Sequence, residues 1–197
     1  MKKILTPLLL LLLLTQIGIA NTLAPEVQDG SPEIAMKIRK LEVLNQVVPI
    51  LMTKEQIQKL LVPIEKARQL ERDVVAREVA EMKKLELELD RAIQAGVKEK
   101  KLPTEELIAK ITKMANAFTL ARQVMVGTSV QGVYEVMKKE LNEGQLKAAA
   151  NALNASFFRD PKEASEMSEE DKIKLFIRVV LLDVAAYDVL VDLYRAS

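Results

Sequence analysis

The 197-residue sequence contains no cysteine, no histidine and no tryptophan. The lack of cysteine excludes disulfides, thiolate nucleophiles, CxxC redox pairs and thiolate metal sites. The lack of histidine removes the imidazole base and ligand, and with them the usual zinc, copper and haem sites. Seven aromatics, all Phe or Tyr, are too few to furnish stacking platforms for single-stranded nucleic acid. An excess of either sign of charge is missing as well: 29 basic and 28 acidic residues are interleaved, which is not the footprint of a nucleic-acid binder.

What is present begins with an address. Met1-Lys2-Lys3 is cationic, Leu8 to Leu14 is a run of seven leucines, and Gly18-Ile19-Ala20 supplies small residues for cleavage. This order predicts a secretory signal peptide over 1–20, cut after Ala20. The 13 residues from Leu8 to Ala20 are too few for a membrane span. Removal of that segment leaves 27 basic against 28 acidic groups, a net charge of −1. The expected location is the periplasm, or otherwise outside the cytoplasm. Without disulfides, stability there must come from packing.

Residues 21–32, with Pro25, Gly30 and Pro32, read as a flexible arm, and 33–197 as a single all-helical domain. No alternating β-branched run occurs, so the fold class is all-α. Ile34, Ile38, Leu41, Leu44 and Val48 predict a first helix ending at Pro49. Thr53 and Gln56 form a capping box that opens a long helix to about Ala95, with a kink expected at Pro63. Its apolar positions run from Ile57 through Val74, Val75, Val79, Met82, Leu85 and Leu89 to Ile93.

Gly96 suits a left-handed stop, and Thr104 caps the next helix. There Leu107, Ile111, Met114, Phe118, Ala121 and Met125 step by four and three, the seam a helix shows to an antiparallel neighbour. The two helices thus predict a long hairpin. Asn142 and Gln145 form a second box, opening a helix that should end near Phe157-Phe158. Ser168 caps a last, largely apolar helix over Lys172 to Arg195, expected to anchor the fold or a homodimer. Within it Asp183 lies off the polar stripe and needs a partner, with Arg39, Arg68 and Arg122 as candidates.

Met52-Thr53-Lys54-Glu55-Gln56 and Leu141-Asn142-Glu143-Gly144-Gln145 resemble two imperfect copies of a Leu-Thr-x-x-Gln motif. That motif recurs twice in the Spy/CpxP family of exported bacterial envelope-stress proteins. The resemblance covers about residues 45–155 and implies a long helical hairpin, a dimer, and a concave surface that holds unfolded clients or a sensor domain. It carries over Thr53, Gln56, Asn142 and Gln145 in a structural role. Met52 stands for Leu and Asn142 for Thr, the copies lie 89 residues apart, and an extra apolar helix follows.

Catalysis finds little support. The carboxylate pairs Glu86/Asp90, Glu105/Glu106 and Glu169/Glu170 sit on outer faces or in first helical turns, where solvation and the helix dipole explain them. The expectation is a protein that is not an enzyme and carries no cofactor or metal. It would bind protein clients or a protein partner as a chaperone-like or stress-adaptor homodimer, with no nucleic acid and no span after cleavage. The alternative is a secreted structural or assembly coiled-coil protein with one dedicated partner. A binding face is expected at Met82, Leu85, Leu89, Leu107, Ile111 and Met114, where methionine adds adaptability.

Overall fold

The computed structural model describes residues 32–153 and 166–196. The expected signal peptide, most of the expected arm and Phe157-Phe158 lie outside them. The described chain is all-α. Its helices are α1 (Pro32–Val47), α2 (Lys54–Glu99), α3 (Glu105–Glu140), α4 (Glu143–Ala150), α5 (Glu169–Phe176) and α6 (Ala186–Ala196). A 3-10 turn, Val48–Ile50, follows α1, and a π-helical segment, Ile177–Leu181, follows α5.

These residues form two compact units. One is Leu70–Met125, made of the end of α2, its connector and the start of α3. Its helices run antiparallel: the Glu78 carboxylate accepts from the Arg122 Nε, and the Glu88 carboxylate from the Lys110 Nζ. The other unit takes in 32–69 together with the described residues from Val126 onward. It holds the apolar core, in which Leu60, Val133, Met137, Phe176, Ile177 and Leu190 are fully buried.

Local chemistry explains most boundaries. The Thr104 hydroxyl accepts from the Leu107 amide at the start of α3, and the Ser168 hydroxyl accepts from the Asp171 amide at the start of α5. Helix α2 continues through Pro63 and also through Gly96, which therefore is not the stop. The left-handed residue is Lys100 (φ 56°), whose amide donates to the Gly96 carbonyl. The helix outruns its glycine because the Lys100 and Lys101 amides satisfy the carbonyls of Gly96 and Ala95. Helix α4 ends at Ala150, well short of Phe157. There the amide and side-chain Nδ2 of Asn151 both donate to the Lys147 carbonyl, closing the last turn.

Three sequence expectations are corrected. The buried face of α1 is Val43 and Val47, with Met36 and Leu44 packed beside them, whereas Ile34, Ile38, Leu41 and Val48 are exposed. On α2, Val75, Val79, Met82 and Ile93 are exposed, and Glu78 is buried in the stripe they were expected to share. The last helix is not continuous. The Leu182 amide reaches the Ile177 carbonyl five residues back, and the Asp183 carboxylate accepts from the Ala185 amide. Asp183 thus offers the backbone a turn in place of the next helical bond. Residues 173–190 nevertheless contribute heavily to the core of this single chain, as an anchor of the fold should.

Candidate functional site

The two capping boxes lie 89 residues apart in sequence and meet in space. Each is a complete box. The Gln56 amide donates to the Thr53 hydroxyl (3.3 Å), while the Gln56 Oε1 accepts from the Thr53 amide (2.9 Å). The Gln145 amide donates to the Asn142 Oδ1 (2.9 Å), while the Gln145 Oε1 accepts from the Asn142 amide (3.0 Å). Met52 and Leu141, the residue before each cap, both pack on the core and fix the angle at which the chain enters α2 and α4.

The side-chain amides then pair with each other. Gln56 Nε2 donates to Gln145 Oε1 at 3.0 Å, and Gln145 Nε2 donates to Gln56 Oε1 at 2.9 Å. The remaining hydrogen on each Nε2 goes to a carbonyl two residues before the opposite cap. Gln56 donates to Glu140 O (2.7 Å), and Gln145 donates to Leu51 O (3.0 Å). Both donors and both acceptor sites of each glutamine are therefore used. The arrangement repeats under exchange of the two boxes, so it acts as one two-fold joint between the starts of α2 and α4. Because each Oε1 must accept from its own cap amide, neither side-chain amide can flip without loss.

The surrounding backbone is shaped to the joint. Leu51 adopts a left-handed conformation (φ 54°, ψ 46°) that a β-carbon disfavours, with its side chain in solvent. Its amide closes the 3-10 turn on Val48, and its carbonyl accepts from Gln145. Glu140 is held at both ends, its carbonyl by Gln56 and its carboxylate by Lys59. Glu55, in the first turn of α2, has its carboxyl held below the usual range by the backbone amide and the Thr53 hydroxyl.

Of the three arginines considered for Asp183, Arg39 holds it, through Nε at 2.6 Å. Lys40 pairs with Asp188 on the same side of α1. Arg68 lies over the Tyr187 ring, 4.3 Å from its centroid. Arg122 grips Glu78 with Nε (2.8 Å) and Nη2, and that carboxylate pushes the guanidinium further above its already high range. Sequence reasoning missed this pair. The signal was Glu78 itself, one turn from Val74 and Met82 in an otherwise apolar stripe. A second cluster ties α3 to α5. Burial, then the Glu170 carboxylate, raises the Tyr134 phenol, while Lys174 lies over its ring and pairs with Glu170.

The expected binding face falls within Leu70–Met125. Met82 is exposed, Leu85, Leu89, Ile111 and Met114 are half-buried, and Leu107 is buried at 3% exposure. Val75 and Val79 extend the exposed stripe of Met82 by two turns of α2. Among the described residues no group of carboxylates is placed to hold a metal ion, and no helix is long and apolar enough to cross a membrane. No family model, no curated protein and no solved structure matches the chain.

Proposed function

We propose that this chain is an exported protein-binding protein of the Spy/CpxP kind, a homodimer that holds clients or a partner through its helical hairpin as chaperone or envelope-stress adaptor. One observation carries the reading. The two Leu-Thr-x-x-Gln-like boxes are halves of a single joint in which Gln56 and Gln145 satisfy each other. Two unrelated helix caps have no reason to meet in this reciprocal way. Signal-like residues 1–20, an all-α fold and the absence of Cys and His agree with binding rather than chemistry.

The face proposed for clients is Val75, Val79 and Met82, flanked by the half-buried Leu85, Leu89, Ile111 and Met114. A two-helix pair cannot close over these side chains by itself, so they remain able to gain by covering an apolar segment of another protein. The test is suppression of aggregation of a reduced, unfolded client by the protein purified after export. Near-stoichiometric suppression that Val79→Glu with Met82→Glu weakens at least about tenfold is expected, since charge on the face must be desolvated. No suppression at any ratio, with one specific partner recovered instead, would replace this reading by a dedicated assembly role.

A further inference from the structure

Helix α1 and the 3-10 turn after it carry two seams, and among the described residues the core takes up one of them. The inner seam is Met36, Lys40, Val43, Val47 and Ile50, stepping by four and three. Val43, Val47 and Ile50 are buried in the core, and Met36 packs against it. Lys40 is tied to Asp188, and the neighbouring Arg39 to Asp183. The outer seam is Ile34, Ile38, Leu41, Asn45 and Val48, with the same steps, displaced by two residues. Two residues correspond to about 200° around a helix, so the seams lie on opposite sides. All five outer residues are exposed, Leu41 at 60%.

We infer that the outer face of α1 is the self-association surface of this protein, pairing in parallel and in register with α1 of a second copy. This rests on the proposed homodimer and specifies where it forms. The steps place Ile34, Leu41 and Val48 at d positions and Ile38 and Asn45 at a positions of a heptad. The central pair, Ile38 at a and Leu41 at d, is the two-stranded combination, the branched d residues Ile34 and Val48 lie at the seam's ends, and a lone Asn at a sets register by facing its own copy. Charge selects the same partner. Lys37 falls at g and Glu42 at the following e, so parallel pairing places each Lys37 beside the other copy's Glu42. Antiparallel pairing sets g against g and e against e, and loses both attractions.

Within the chain Lys37 pairs with Glu33 at 2.8 Å, but both side chains are largely in solvent, so that contact is weak and exchangeable. The seam spans two heptads, too short to hold isolated peptides together. Here α1 is already folded and clamped on its inner side, so pairing costs little ordering, and a micromolar dissociation constant is expected.

The absence of cysteine makes the test direct. Velocity sedimentation of the protein purified after export should show a reversible dimer. Leu41→Asp should weaken it at least about a hundredfold with the helical circular dichroism unchanged, because Leu41 lies in solvent in the single chain. Asn45→Cys should form a disulfide-linked dimer under mild oxidation, since identical residues face each other only in parallel register. Lys139→Cys, exposed on α3, should not. A dimer that survives Leu41→Asp overturns the seam and leaves the homodimer standing. Dissociation by Leu41→Asp without linkage of Asn45→Cys overturns the parallel register. A wild-type chain that stays monomeric overturns both. Client protection measured on the Leu41→Asp chain then tests protein binding apart from the dimer.

Discussion

Single side chains decide more here than the even mixture of charges suggests. Glu78 is buried at 3% exposure, and the two-pronged grip of Arg122 compensates its charge. Arg122→Ala strands that charge. The expected cost is about 2–3 kcal/mol by chemical denaturation, below the range for fully buried pairs because a third of the Arg122 side chain reaches solvent. Replacing both partners by leucine should come within about 1 kcal/mol of the parent, since an apolar pair needs no desolvation to be recovered. A double variant as unstable as Arg122→Ala would show that the pair itself, and not the stranded charge, carries the energy. Ser129 presents the milder form of the same problem, a buried hydroxyl for which the described residues offer no hydrogen-bond partner.

At the scale of elements, the joint between the two boxes couples the start of α2 to the start of α4. Gln56→Ala and Gln145→Ala should each destabilise, Gln145 more because it is the more buried. A double-mutant cycle should return a coupling of about 1–2 kcal/mol, whereas two independent caps would add with almost none. Each box was legible in the sequence, as were the caps at Thr104 and Ser168, because a cap depends on residues three apart in the chain. The meeting of the boxes was not, because nothing local says which helix starts will share a point in space. Periodicity likewise identified α1 as amphipathic but chose the wrong side for the core. Two heptad seams on one helix are equally good as patterns, and only the tertiary partner distinguishes them. The break at Asp183 was half visible: its odd position marked it, but its competition for the Ala185 amide needed the backbone in place.

For the molecule as a whole, burial is uneven. The core cluster lies wholly outside Leu70–Met125, where the buried apolar side chains are Val74 and Leu107. Native-state hydrogen exchange should therefore report two classes of helical amide. Those of 75–124 should exchange at least about tenfold faster than those of 57–67 and 130–140 in the same two helices, since local opening there exposes little apolar surface. Equal protection along both helices would mean that the chain opens as one unit. The π-helical segment at Ile177–Leu181 bears on the tail in another way. Its hydrogen bonds reach five residues back in place of four, as from the Leu182 amide to the Ile177 carbonyl, so it takes up one residue that a regular α-helical turn would not hold. Deleting a single residue within it should let the segment close as an α-helical turn, with Val189 and Leu190 still in the core, whereas adding a second extra residue should lower the melting temperature. The segment is a stored residue, more tolerant of loss than of gain.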